Sequence, residues 1–486
     1  MASTDYVSQN HLLLKPKEAS LIELIRLLYS PELKKRCFIE CSEEEGEQSR
    51  DFRRRWIVFV SVVAQKLFLI LKEPMAMVGD VLESWLNLLA ANGGFLALLR
   101  NYFRGNLVRL DQSSSASILG HLDWRVELDK NIEPNDEKYK GSLSMMAAKL
   151  AYENEYFITR IVQNHWKMRF LGFYNFWNCY LEKHSTPAFI FQDKINDPKL
   201  IAVAFRGTDP FDADAWRTDF DISWYELQNV GKIHRGFING IGLQQDNTWP
   251  AELDDHDQQG VNGGQQNRSF AYYEIKKMLK AMLQENKDAK FIVTGHSLGG
   301  AWAILFVAGL AIHNEALLMD RLEGVYTFGQ PRVGDEHFGT FMTKKLQDFN
   351  VKYRRYVYCN DLVPRIPYDD KTLLFKHFGP CLYFDSYYKG KVLSEEPNKN
   401  YFSLVWLLPK YINAVWELIR GFVIPFIKGS DYKENWLMRM LRVVGLVIPG
   451  LSAHSPLDYV NLTRLGSLPS LPSLKYLIRQ EDSKVE

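Results

Sequence analysis

Glycines close around a single serine at Gly295-His296-Ser297-Leu298-Gly299, with Gly300-Ala301 directly after, and no other stretch of the chain restricts its fold as tightly. Before it runs KFIVT, a short apolar β-like segment, and after it an apolar helical one. A chain that passes from strand to helix in so few residues has no room for side chains beside the central one. Glycines therefore flank Ser297, and its hydroxyl is pushed outward. The helix that starts there aims free N–H groups and the positive end of its dipole at any anion formed beside Ser297. A bare G-x-S-x-G arises often by chance; the strand before, the helix after and the third glycine make this one a nucleophile elbow.

An elbow of this kind needs a sheet around it, and the flanking sequence supplies one. AAKLAYEN reads as helix, AFIFQD and LIAVAFRG as strands, AYYEIKKMLKAMLQEN as an amphipathic helix, GVYTFG as a strand, 335–349 as a helix and YRRYVYC as a strand. Alternation of this kind from about 140 to 375 predicts an α/β fold with a mostly parallel central sheet covered by helices. The stretch between Gly242 and Ser269 is rich in Gln, Asp, Asn and Gly and reads as an exposed, mobile loop.

Serine is a poor nucleophile until a positioned imidazole takes its proton, and a carboxylate must then fix the imidazole tautomer. In chain order the acid and then the histidine follow the serine in folds of this class. Only His377 and His454 lie beyond the candidate acids Asp335, Asp361, Asp369 and Asp370. His377, in LLFKHFGPCLYF, reads as a packed strand residue. His454, in GLSAHSPLDYV, sits in a loop entering a short helix and is preferred. Asp361 stands directly after the strand YRRYVYC and is the preferred acid. Asp335 reads as the cap of the helix that follows it, and Asp369, Asp370 and Asp385 are fallbacks with a turn-like context.

Two other regions are apolar rather than catalytic in pattern. Trp56 to Leu71 is nearly continuous apolar sequence broken by Ser61, Gln65 and Lys66. It stops at Lys72-Glu73-Pro74, and apolar residues resume through Met75–Leu99. With Arg53-Arg54-Arg55 at its entry, 56–104 reads as a hairpin or interfacial anchor held by snorkelling and headgroup attraction; a pair of core helices is the other reading. A second apolar region spans 401–451. Each is short for a membrane span of about 20 residues and is expected to dock rather than cross.

The 486 residues carry 59 Lys+Arg against 58 Asp+Glu, so no overall field gathers nucleic acid. Hydrophobic residues make up 46% of the chain, enough for a large core. Five scattered cysteines give no disulfide framework, and Cys37-x3-Cys41 lacks partners for a zinc site. No secretory signal opens the chain, and neither metal nor cofactor is called for.

LIAVAFRGTDP, VTGHSLGGA, YTFGQPRVGD and NDLVPRIP, in that order, resemble the class 3, fungal-lipase-like α/β-hydrolases over about 190 to 370. GNLVRLDQSSSASILGHLDWRVEL, LGFYNFWN and SAHSPLDYVN narrow the likeness to plant oil-body triacylglycerol lipases over nearly the whole chain. The resemblance implies a triad of Ser297, Asp361 and His454 and an oxyanion hole from Thr208 with the N–H of Leu298. It also implies a lid after this point, for which the flap with Trp216, Phe220 and Trp224 is the candidate. The expected organisation is an N-terminal helical region over 1–140 and a hydrolase domain over 141–486 that carries the insertion 401–451. The expected function is triacylglycerol hydrolysis at the cytosolic face of a lipid droplet, with the endoplasmic reticulum membrane as a further location. A phospholipase or galactolipase on a bilayer, a non-catalytic droplet coat and self-association through the apolar regions are the rival readings.

Overall fold

The computed structural model describes residues 8–30, 36–42, 51–109, 114–134, 136, 138–243, 268–369, 375–401 and 404–467. The loop expected between Gly242 and Ser269, and Asp370, lie almost wholly or wholly outside these residues.

The apolar runs form a sheet of eight strands in the order β12-β11-β10-β9-β8-β5-β4-β3. These are β3 (Arg169–Asn178), β4 (Lys183–Gln192), β5 (Leu200–Phe205), β8 (Lys290–His296), β9 (Leu322–Phe328), β10 (Lys352–Tyr358), β11 (Cys381–Phe384) and β12 (Gly390–Leu393). From β5 to β11 the neighbours run parallel, and β3, β4 and β12 add antiparallel edges. Strands covered on both faces need apolar residues at every position, and LIAVAF is buried throughout. Ile201, Val203 and Phe205 enter the core on one face, while Ala202 and Ala204 enter the core on the other. This is the mostly parallel, helix-covered sheet that the sequence pattern predicts, and it fits the α/β-hydrolase fold that the resemblance implies.

His377 departs from expectation. It lies before the strand, which begins only at Cys381 because Gly379 and Pro380 interrupt the ladder. Its Nε2 donates to Pro364 O at 2.8 Å, and burial holds its pKa well below the ordinary value, so it is a neutral structural residue.

The N-terminal region is not purely helical. β1 (Ser8–Leu14) and β2 (Ile39–Cys41) join β6 (Trp224–Leu227) and β7 (Gly231–His234) in a second sheet, ordered β2-β1-β6-β7, so strand pairing crosses the boundary expected at 140. Over this sheet lie α1 (Leu21–Tyr29) and α2 (Phe52–Ala91), which bury Leu24, Leu27, Val58 and Val62 against Leu12, Leu14 and Trp224.

The expected break at Pro74 is absent: α2 is a single helix of 40 residues. An internal proline removes one backbone hydrogen bond and costs about 3 kcal/mol. Here α2 is held on both sides of it. Ser61 Oγ donates to Phe220 O at 2.8 Å, Gln65 Nε2 donates to Asp221 at 3.3 Å and Lys72 pairs with Asp214 at 3.0 Å. Beyond the proline, Gly79 packs on Phe211, whose Cβ would lie 2.8 Å from an added methyl. The polar residues that interrupt the apolar run are therefore those that grip the protein, and Trp56, Val60, Val63, Leu67, Ile70, Met77, Val78 and Val81 face outward. Arg54 and Arg55 do not serve the expected headgroup contact; both are buried, and Arg55 stands over Phe52 and reaches Leu28 O. The chain reverses only at Gly93-Gly94, before α3 (Phe95–Phe103).

In the second apolar region α10 (Leu407–Lys428) and α11 (Trp436–Gly445) reverse the usual globular pattern. Lys410, Glu417, Arg420 and Arg442 point inward, while Leu408, Ile412, Val415, Ile419, Phe422, Phe426, Met440 and Val447 are exposed. Among the described residues, no helix is long and apolar enough to cross a membrane.

Candidate active site

β8 delivers Ser297 at its carboxyl end, and α8 (Leu298–Ile312) starts at the next residue. Every residue of α8 is buried, as an all-apolar helix requires when it lies between the sheet and the outer layer. Ser297 has φ +58°, a left-handed conformation that strains any residue with a Cβ. The strain is held by close backbone contacts. A Cβ on Gly295 would overlap the Gly299 carbonyl, and one on Gly299 would overlap the Phe205 carbonyl of β5. Ser297 N donates to Phe328 O on β9 at 2.8 Å, which ties the elbow to the neighbouring strand as well.

Asp361 and His454 come to the same edge from distant positions. Asp361 follows β10 by one turn, with its N–H on Tyr358 O, and Arg365 clamps that turn through the Asp361 and Cys359 carbonyls. His454 closes a short helical turn before α12 (Pro456–Leu465). Its Nδ1 lies 2.8 Å and 3.0 Å from the two Asp361 carboxyl oxygens, and its Nε2 lies 2.8 Å from Ser297 Oγ. Asp361 is fully buried, Ser297 is 2% exposed and the His454 side chain 12%. An imidazole that donates Nδ1–H to a buried carboxylate presents a basic Nε2 to the hydroxyl. That arrangement can transfer the serine proton during attack on a carbonyl.

Three further contacts support this site. Tyr459 Oη donates to Asp361 Oδ2 at 2.5 Å, and burial together with the Asp361 charge raises the phenol pKa, so the tyrosine remains a donor. His296 stacks on His454 with ring centroids 4.6 Å apart and donates Nε2–H to the His454 carbonyl at 3.1 Å. Its Nδ1 must then accept from Tyr152 Oη at 2.9 Å, and burial holds the His296 ring neutral beside His454. Third, Thr208, three residues past β5, donates its hydroxyl to Asp219 at 3.1 Å. Asp219 is wholly buried, and this raises its pKa to about 8.

Leu298 opens α8, so its N–H has no acceptor within the helix. Thr208 is buried on the adjacent strand end, and its Arg206-Gly207 neighbourhood lies against the elbow. The other acids stand elsewhere: Asp335 caps α9 (Glu336–Asp348) by accepting from Phe338 N, Asp369 pairs with Lys399, and Asp385 accepts from turn N–H groups.

The expected flap needs correction. α6 (Ala213–Phe220) lies beneath α2, where Phe220 packs on Phe68 with centroids 5.5 Å apart. Trp216 is partly buried and donates to Pro210 O, while Trp224 is a core residue of β6, 1% exposed, with the Lys232 ammonium over its ring. A residue locked into a sheet by pairing on both sides cannot swing as a lid.

A family model described as Lipase (class 3) matches residues 202–371. The triacylglycerol lipase OBL1 of Nicotiana tabacum is 44% identical over 481 residues, covering 86% of this chain and 84% of its own. That of Arabidopsis thaliana is 41% identical over 493 residues, covering 94% and 95%. Among solved structures, the native Rhizomucor miehei lipase propeptide complex is similar at 22% identity, covering 50% of this chain and 66% of that chain with a TM-score of 0.36. Because the plant proteins match almost from end to end at such identity, the chain belongs to the class 3 lipase family.

Proposed function

We propose that this lipase hydrolyses triacylglycerol through Ser297, His454 and Asp361 while docked from one side on a lipid-droplet surface that faces the cytosol. The observation that carries the reading is the unbroken chain from Asp361 through His454 to Ser297 Oγ on a strained elbow. Ser297 Oγ attacks the ester carbonyl carbon as its proton passes to His454 Nε2. Asp361 orients the ring and stabilises the imidazolium. The oxyanion of the tetrahedral intermediate is held by the Leu298 N–H and by Thr208. Collapse breaks the ester C–O bond, and His454 returns the proton to the departing diacylglycerol. Water then gives a proton to His454 Nε2 and attacks the acyl-Ser297 carbonyl carbon; collapse of the second tetrahedral intermediate breaks the acyl C–Oγ bond, His454 returns the proton to Ser297 Oγ, and the fatty acid leaves. None of these steps calls on a metal or cofactor.

The exposed apolar faces of α2, α3, α10 and α11 support one-sided docking. α10 and α11 carry Lys410, Glu417, Arg420 and Arg442 inward against the protein and leave large apolar residues outside, as α2 does with Ser61 and Gln65, which suits a phospholipid monolayer over oil. The two regions are bridged: Asn435, the cap of α11, donates to Leu122 O of α4 (Ile118–Leu122), and α4 lies against α2. Ser297→Ala is expected to lower fatty-acid release from emulsified triacylglycerol by at least about a thousandfold while flotation with droplets persists. Residual wild-type rates in that variant would refute the nucleophile. Cleavage of phospholipid vesicles in place of triacylglycerol would move the substrate to a bilayer lipid.

A further inference from the structure

The helices α10 and α11 are inserted in the chain between Asp361 and His454, and they attach to the enzyme through a buried ionic cluster beside an apolar contact of Leu437, Met438 and Leu441 with Leu119, Leu122, Tyr152 and Leu457. Apart from Ala414, Ile424 and Met438, the side chains they bury are charged. Arg442 Nη1 and Nη2 donate to the two Asp458 oxygens at 2.7 Å and 3.0 Å. Arg420 Nη2 donates to Asp458 Oδ1 at 2.7 Å, and Tyr388 Oη to the same atom at 2.8 Å. Glu434 pairs with Arg442 at 2.8 Å, and Glu417 lies 3.3 Å from it. Asp458 and Arg442 are fully buried.

Asp458 lies on α12, four residues after His454, and the next residue, Tyr459, holds Asp361. The other end of the His454 turn is gripped as well. Gly445, the last residue of α11, packs on Ser452 so closely that a Cβ would lie 2.5 Å from its hydroxyl, and Gly450 abuts the Asn360 carbonyl. Burial pushes the Asp458 carboxyl up, and Arg442 and Arg420 more than reverse this, so it stays ionised. Burial instead raises Glu417. The bidentate, charge-assisted bonds of Arg442 to Asp458 fix orientation as well as distance, and close packing around them transmits strain. A displacement of the outer helices is therefore passed to α12 rather than absorbed at the joint.

We propose that the cluster of Glu417, Arg420, Glu434, Arg442 and Asp458 ties the lipid-docking helices to His454, with Arg442 and Asp458 as positioning residues that keep the imidazole in register when lipid loads the outer faces. This rests on the triad and docking roles proposed above. With the cluster weakened, docking shifts α10 and α11 without correcting α12, and His454 loses register on a surface more than in free solution.

The test compares full-length wild type, Arg442→Met, Arg442→Lys and Tyr388→Phe on phosphatidylcholine-coated triolein droplets and on dissolved p-nitrophenyl butyrate. Flotation measures droplet binding, and a p-nitrophenyl phosphonate counts competent Ser297. The expected result is that Arg442→Met lowers the ratio of droplet rate to dissolved-ester rate, per competent site, at least about tenfold. Arg442→Lys recovers part of it, and Tyr388→Phe lowers it by about threefold. A purely structural role lowers both rates together and leaves the ratio at the wild-type value, which overturns the proposal. If Arg442→Met fails to fold, an unchanged ratio in Arg442→Lys and Tyr388→Phe overturns it equally. The roles on which the proposal rests are read separately. A His454→Ala protein that stays active refutes the triad, and a wild type that does not float with droplets refutes docking.

Discussion

Tyr459 and Asp219 are single buried groups that bear on the proposed triad without belonging to it. Tyr459 gives Asp361 Oδ2, the oxygen nearer His454, a neutral donor, and the Val363 N–H donates to Oδ1, so the carboxyl group is satisfied in a dry site without a cation to compete with His454. Asp219 does the opposite kind of work. Its pKa of about 8 means that Thr208 rests against a neutral carboxyl at physiological pH, and the oxyanion that Thr208 is proposed to bind meets no like charge. As the pH rises through 8 that carboxyl ionises, and the new charge opposes the tetrahedral intermediate. The turnover rate is therefore expected to fall on the alkaline side with an apparent pKa near 8, and Asp219→Asn, which keeps an acceptor for Thr208, should extend the plateau upward. A pH–rate profile on dissolved ester measures this, and an identical alkaline limb in the variant would rule it out. Stability moves the same way. The unfolded carboxyl loses its proton near 3.8 and the folded one near 8, so between these values the folded state holds the extra proton and its stability falls as pH rises. Thermal unfolding of the Asn variant should lose that slope.

At the scale of the element, α2, α10 and α11 share one design. Each leaves large apolar residues outside; α10 and α11 bury Lys410, Glu417, Arg420 and Arg442, and α2 buries Ser61 and Gln65 while Lys72, Glu73 and Asp80 stay exposed. In α2 the residues that meet the protein divide further into Val58 and Val62, which fill the core against β1 and β6, and Ser61, Gln65 and Lys72, which hold the α6 region. The two faces should thus separate experimentally. Ile70, 72% exposed, replaced by Glu should reduce flotation with droplets several-fold and leave the melting temperature unchanged. Val62→Ala, which removes two buried methyl groups, should lower unfolding stability by roughly 2 kcal/mol with flotation intact. Flotation assays and thermal melts on the same two proteins give both readings, and interchanged outcomes would place the lipid on the wrong face. Pro74 belongs to this scale too. Its effect on a helix is a local preference of about 3 kcal/mol, and packing on both sides of it outweighs that preference.

Across the whole molecule the apolar regions are parts of the fold, not appendages to it. α2 covers the second sheet, α4 connects it to α11, and α11 is bolted to the helix behind His454. Deletion of 56–104 is therefore expected to abolish cooperative unfolding and phosphonate labelling of Ser297, rather than release a soluble active enzyme. Near-UV circular dichroism and labelling stoichiometry decide the matter, and a folded, labelled deletion protein would contradict the packing described here. The sequence by itself determined what depends on neighbours in the chain. The elbow at Ser297 is legible because strand, glycines and helix are consecutive, and Asp361 and His454 because chain order and local context leave few rivals. The parallel sheet follows from apolar periodicity for the same reason. Only the tertiary structure decided which polar groups meet: Thr208 with Asp219, Tyr459 with Asp361, and Arg442 with Asp458. It also decided that Arg54 and Arg55 are buried, that Trp224 is core and that α2 passes through Pro74. Each of those outcomes rests on a partner far along the chain or on another element, and burial and pairing are properties of what surrounds a residue in space, which no local pattern encodes.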